Sequence, residues 1–170
     1  MASFELLFPE SVFAYLEITF RLVLAAALAA LLGWDREERD RPAGIRTYML
    51  VSLAAAVFTI LTFEIHRAVM AAQPNGNSDP IRIIEAVTAG IAFLAAGTII
   101  QGRNSVVGLT TGAGMWLAGA LGVAVGAGYY ALAILAAVIS LIILRYLKFP
   151  QASPKKPVLI EEDAEGEGTG

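Results

Sequence analysis

Between two long apolar runs, residues 35–46 read DREERDRPAGIR, and the first chemistry this chain offers is that of four arginines, Arg36, Arg39, Arg41 and Arg46, set among carboxylates. If the helix before them continues past Trp34, then Asp35 with Arg39, Arg36 with Asp40, and Glu37 with Arg41 stand four residues apart on a helix surface. Each such pair adds about a few tenths of a kcal/mol. Pro42 disfavours helix at Arg41 and stops the extension. Gly44 permits a reversal, and Arg46 opens the next apolar run at the level of lipid headgroups. Two readings of the segment follow. It is a self-paired linker that fixes topology and touches lipid phosphates, or a polar site in which Asp35 or Glu37 serves a cation or a partner while Arg41 and Arg46 orient it.

Other chemistry-bearing residues lie inside the apolar runs. Glu17 and Arg21 are one turn apart and can pair; the arginine either snorkels outward or faces the helix bundle. Thr110 and Thr111 carry hydroxyls that bond back to a carbonyl of the previous turn or across to another helix. Glu85 is a cation ligand or, with Arg82, faces the outer headgroups, and His66 reads as an outer-loop surface residue. The chain has no cysteine and one histidine. That excludes disulfides, thiolate metal sites and cysteine nucleophiles, and argues against a histidine-built metal centre within one chain. No metal site and no cofactor are expected.

The elements that hold these residues are membrane helices. The chain of 170 residues is 57% hydrophobic and 16% charged, with mean hydropathy +0.68, outside the range of soluble domains. Its net charge of −3 argues against nucleic acid. Five apolar runs, 12–34, 47–65, 83–100, 106–125 and 129–147, are each near the roughly 20 residues that cross a bilayer core. The expected fold is an all-α, polytopic helical membrane protein with about five transmembrane helices. The N-terminal sequence has no basic n-region and no small-residue cleavage site, so the first run is expected to be retained rather than removed as a signal peptide.

Counting basic residues by loop orients the chain. Arg36, Arg39, Arg41, Arg46, Arg103, Arg145, Lys148, Lys155 and Lys156 lie on one side, against Arg67 and Arg82 on the other. The positive-inside rule then places the N-terminus outside and the C-terminus in the cytoplasm. Trp34, Tyr48, Tyr129, Tyr130 and Tyr146, near the ends of the runs, suit interfacial anchors. Residues 1–149 form the membrane domain, and 150–170, rich in acid and poor in apolar residues, form a disordered cytoplasmic tail. The AAQPNGNSDP stretch reads as an exposed outer turn.

Four segments, in order, resemble the motifs of the MgtC/SapB family of bacterial membrane proteins: GWDRE at 33–37, RPAGIRTYMLV at 41–51, AGIAFLAAG at 89–97 and NSVVGLTTGAGMW at 104–116. The resemblance extends over about residues 21–147. Asp35, Arg36 and Glu37 match its first motif. Arg41, Pro42, Ala43, Gly44, Arg46 and Thr47 match its second, and Phe93, Leu94, Ala96 and Gly97 are retained in its third. Gly108, Leu109, Thr110, Thr111 and Trp116 match its fourth, where Gly112 and Gly114 replace other small residues. Ala92 and Ala95 stand where the family tends to have glycine, so the third span should pack less closely there. Many members carry a soluble C-terminal domain, where this chain has its acidic segment.

The resemblance implies a multi-pass inner-membrane protein linked to growth in low magnesium, to survival of pathogens inside host cells, and to modulation of the proton-translocating ATP synthase. No Walker A loop is present, and an enzyme is not expected. Small residues recur every four positions at Gly108 and Gly112, and at Ala118, Gly122 and Gly126, a pattern of tight helix contacts that permits a homo-oligomer. Two functions remain open. One is regulation through contacts with another membrane complex, ATP synthase being the family-suggested partner, with Asp35, Arg36, Glu37, Arg41, Arg46 and Thr47 as its surface. The other is a small oligomeric transporter or channel for Mg²⁺ or another ion, built from carboxylates around an axis.

Overall fold

A computed structural model describes residues 10–72, 79–101 and 106–147. Five helices follow one another: α1 (Glu10–Glu37), α2 (Ile45–Ala72), α3 (Ile81–Ala96), α4 (Leu109–Gly126) and α5 (Tyr130–Tyr146). Between α3 and α4 a small antiparallel ribbon pairs Ile100 with Val107 and Gln101 with Val106. The all-α membrane architecture stands as expected. Helix α1 from Val12, α2 and α4 are long and apolar enough to cross a membrane. Helices α3 and α5, with 16 and 17 residues, reach about 24–26 Å at 1.5 Å per residue, just short of a full hydrocarbon core.

Several boundaries differ from the apolar runs, because backbone geometry rather than hydropathy ends a helix. Helix α2 continues to Ala72, so His66 and Arg67 sit on a helix and not in a loop; Arg67 pairs with Glu64 at 2.8 Å one turn back. The third run extends to 100, yet α3 stops at Ala96 and residues 100–101 enter the ribbon. Residues 106–107 form the other strand, and α4 starts only after Gly108, whose φ of 94° no side-chain-bearing residue adopts cheaply. The first helix outlasts its run and ends at Glu37, ahead of Pro42. Its stop is a left-handed residue, Asp40 at φ 51°, with Arg41 N–H donating to the Arg36 carbonyl and Asp40 N–H to that of Glu37. This is the Schellman geometry, and aspartate is one of the few residues besides glycine that enters it. Helix α4 ends the same way around Gly128, with Tyr129 N–H donating to Ala124 and Gly128 N–H to Val125. The tail at 150–170, residues 73–78 of the expected outer turn, and Arg103, Lys148, Lys155 and Lys156 lie outside the described residues, so the division at 149/150 is not tested.

The interior is built from small residues. Among the described residues nine of the eighteen buried hydrophobic positions are alanine, while Phe20, Leu50, Phe93, Leu132 and Tyr146 point outward at 54–80% exposure. A water-soluble core has the opposite arrangement. Lipid offers no penalty to outward apolar side chains, so helices associate by close backbone approach instead. Helices α1, α2 and α4 form the centre. Gly122 faces the Ser52 backbone carbonyl, and a side chain at Gly126 would come within 2.8 Å of the Ala56 carbonyl. The 118/122/126 stripe is therefore the α2–α4 contact. Helix α3 leans on α4, where a Cβ at Gly112 would stand 2.9 Å from the Ala95 carbonyl. Ala95 is buried and closely packed, contrary to the looser packing expected there, because Gly112 across the contact makes the room; Ala92 is exposed.

Candidate functional site

The arginine-rich segment is the joint between α1 and α2, and its motif residues have separable tasks. Gly33 is where the two helices touch: a Cβ there would lie 2.7 Å from the Ile45 Cα. One turn on, the Glu37 carboxylate accepts a hydrogen bond from the Ile45 backbone N–H at 2.9 Å. It thereby satisfies an orphan donor at the start of α2 and places negative charge at the positive end of that helix. Gly44 leaves space for it, since a side chain at Gly44 would meet Glu37 Oε2 at 2.7 Å. Glu37 thus caps α2 rather than pairing with Arg41, and the Glu37–Arg41 pair expected from spacing does not form.

Asp35 is the hub of the ionic cluster. Its Oδ2 accepts from Arg36 at 2.5 Å and its Oδ1 from Arg39 at 3.1 Å. The expected Asp35–Arg39 pair is present, whereas Arg36 pairs with Asp35 and not with Asp40. The left-handed turn at Asp40 removes that residue from the helical spacing on which the pair depended. Arg36 is 5% exposed, and its Nε has no partner among the described residues. Removing either member of a pair so buried leaves a charge in low dielectric. Arg39 also reaches the Leu144 carbonyl at 3.4 Å, which sets the end of α5 beside the joint. Arg41 is half-buried, Arg46 is exposed on the first turn of α2, and neither side chain has an ion pair or hydrogen bond among the described residues. Thr47 is half-buried beside them. The joint therefore ties Asp35, Arg36, Glu37 and Arg39 into the fold and leaves two guanidinium groups available.

A second polar cluster lies at the opposite end of the bundle. Arg21 pairs with Glu17, as spacing suggested, and also donates to the Gly126 carbonyl at 2.8 Å and to the Tyr130 hydroxyl at 3.0 Å. It faces the bundle rather than snorkelling. Gly126 is the last residue of α4, so the guanidinium sits on the negative end of that helix and receives one of its unpaired carbonyls. Tyr130 additionally meets Phe20 edge-on with ring centroids 5.6 Å apart.

Of the proposed interfacial anchors, Trp34, Tyr129 and Tyr146 are exposed, but Tyr48 is completely buried and donates its hydroxyl to the Thr111 carbonyl at 3.0 Å. The reversal at residues 42–44 turns the first helical turn of α2 inward, which proximity to a span end did not reveal. Ser52 crosses in the same manner to the Ala25 carbonyl at 2.9 Å. Thr59 and Thr62 bond back to their own helix. The two threonines of the fourth motif diverge: Thr111 is buried and Thr110 exposed. Glu85 is exposed, and Arg82 is paired with Asp79 at 3.9 Å. His66 is half-buried on α2. Among the described residues no three His, Cys, Asp or Glu side chains come together as metal ligands.

Three contributors escaped a reading by spacing: Gly33, Tyr48 and Ser52. Gly33 and Tyr48 belong to quoted motif segments, and a motif glycine beside a helix end is the signal of close approach. Nothing local marks Ser52 as a crossing donor.

Comparison with known proteins agrees with the motif order. Residues 22–152 match the MgtC family. The protein named Putative magnesium transporter YhiD of Escherichia coli (strain K12) is 36% identical over 128 residues, which are 75% of this chain and 59% of that protein. Protein SrpB of Synechococcus elongatus is 35% identical over 142 residues, 79% of this chain and 76% of SrpB. Protein MgtC of Brucella abortus (strain 2308) is 38% identical over 104 residues, 61% of this chain and 40% of that protein. No solved structure matches.

Proposed function

From the premise that the chain belongs to the MgtC family, we propose that it is a non-enzymatic protein of the bacterial inner membrane that regulates adaptation to low magnesium by binding another membrane complex. ATP synthase is the partner that the family resemblance suggests. The joint between α1 and α2 faces the cytoplasm in this reading, as the distribution of basic residues requires. The observation that carries it is the division of roles at the joint. Asp35, Arg36 and Glu37 form contacts within the fold, whereas the side chains of Arg41 and Arg46 have no hydrogen-bond or ion-pair partner among the described residues. Paired guanidinium groups at a membrane surface recognise carboxylates of a partner by bidentate hydrogen bonds. The interior supports regulation over transport, because its buried hydroxyls at Tyr48, Ser52 and Thr59 donate to backbone carbonyls.

The printed name of the Escherichia coli relative favours a second reading, an oligomeric Mg²⁺ transporter. Reconstitution in vesicles with a Mg²⁺ dye, together with co-purification from membranes, separates the two. Regulation is supported when the protein carries no Mg²⁺ flux and retains an ATP synthase subunit that the Arg41→Gln/Arg46→Gln variant loses. Flux that depends on a bundle-facing carboxylate overturns it.

A further inference from the structure

The ends of α1 and α5 meet on the side of the bundle that carries the arginine-rich joint, as the 3.4 Å approach of Arg39 to the Leu144 carbonyl establishes. Between them runs a groove of about 340 Å³ lined by Leu31, Trp34, Asp35, Glu38, Leu141 and Arg145. Its lining is ordered by depth. Leu31 lies one turn before Asp35 on α1, and Leu141 one turn before Arg145 on α5. Both helices arrive at this surface with their C-terminal ends, so the charged residues stand at the mouth and the leucines toward the hydrocarbon.

The two signs of charge at the mouth are not used on each other. Asp35 is occupied by Arg36 and Arg39. Glu38 offers Oε1 to the Trp34 indole N–H at 2.7 Å, which leaves its second oxygen open. The Arg145 side chain has no ion pair or hydrogen bond among the described residues, although it shares the groove with Glu38. A carboxylate and a guanidinium that face one cleft without pairing are satisfied together by a ligand that carries both charges. Apolar walls beneath them ask that the ligand continue as hydrocarbon. An exposed indole at the rim belongs at the headgroup level.

We propose that this groove binds an aminophospholipid, phosphatidylethanolamine, with its phosphate on Arg145, its ammonium on Glu38 and the start of an acyl chain along Leu31 and Leu141. Arginine holds phosphate oxygens bidentately. The primary ammonium supplies N–H donors that the quaternary ammonium of phosphatidylcholine lacks. Phosphatidylglycerol has no cation for Glu38, the one carboxylate of the mouth that no arginine holds.

The test is native mass spectrometry of the full chain released from nanodiscs that hold equal amounts of phosphatidylethanolamine, phosphatidylcholine and phosphatidylglycerol. The expected result is preferential retention of phosphatidylethanolamine by roughly tenfold, the scale of one charge-assisted hydrogen bond. Glu38→Gln, which keeps an acceptor for Trp34, lowers retention to the phosphatidylcholine level. Arg145→Gln weakens retention of every phospholipid, and Arg145→Lys restores part of it. Arg67→Gln, near the far end of α2, changes nothing, as expected of an arginine outside the groove. Equal retention of the three lipids overturns the proposal, as does a preference for phosphatidylglycerol or a Glu38→Gln protein that still selects phosphatidylethanolamine.

Discussion

The contact between Tyr48 and Gly114 allows a test of whether this fold is held by close helix approach. Tyr48 is fully buried, and a Cβ added at Gly114 would lie 3.2 Å from both Cε1 and Cζ of its ring and nearer still to the hydroxyl oxygen. Gly114→Ala alone forces the ring to shift, at about 2 kcal/mol. Tyr48→Phe alone removes the hydrogen bond to the Thr111 carbonyl, for which membrane interiors give about 0.6–1 kcal/mol. Independent sites would sum to roughly 3 kcal/mol in the double variant. The atom closest to the new methyl is the hydroxyl that phenylalanine lacks. The double variant should therefore be destabilised by about 2 kcal/mol or less, an interaction of about 1 kcal/mol or more. The helix-propensity gain of alanine over glycine, up to about 1 kcal/mol, enters both backgrounds and cancels in the cycle. Reversible unfolding by SDS in mixed micelles, followed by far-ultraviolet circular dichroism, measures all four proteins. Additivity within about 0.5 kcal/mol would refute the reasoning, because the ring and the glycine would then not share the space described.

Three further outcomes are expected in the same assay. Asp40→Gly should raise stability by about 1 kcal/mol, since glycine occupies φ 51° without the cost a side chain carries; a loss would mean that the Asp40 carboxylate holds something itself. Arg21→Gln should cost about 2 kcal/mol and release the end of α4 from α5, measured as faster amide exchange at residues 124–130, because the guanidinium bridges Gly126, Tyr130 and Glu17. Glu37→Gln should cost about 1 kcal/mol, as the cap on Ile45 loses its charge but keeps an oxygen acceptor; Glu37→Ala should cost more, and equal losses would show that the charge alone carries the cap, with packing and the remaining acceptor adding nothing.

Apolar runs made the five helices and the all-α class legible, because the length of a bilayer-crossing helix is written in consecutive residues. Helix ends were less so. A left-handed residue at Asp40 stops α1 before Pro42, and no hydropathy run contains that information. The polar clusters divide in the same way. Glu17–Arg21 and Asp35–Arg39 are one turn apart and could be paired from spacing. The attachment of Arg21 to Gly126 and Tyr130, more than a hundred positions away, required the fold. Motif order identified the joint as the distinctive segment, but the tasks of Gly33 and Glu37 became visible only against Ile45, on the next helix. Tyr48 was misread because nearness to a span end resembles nearness to the interface when only one dimension is available.

The inversion of size between inside and outside has a consequence for how this sequence can vary. In most folded chains the bulkiest apolar residues are the hardest to replace. Here Phe93 or Leu132, turned to lipid, can be exchanged among apolar types at small cost, while a single methyl added at Gly114, Gly122 or Gly126 reaches a ring or a neighbouring backbone. A complete scan of substitutions would therefore draw the bundle as a negative: intolerance would fall along the lightest residues, and tolerance would follow the heaviest.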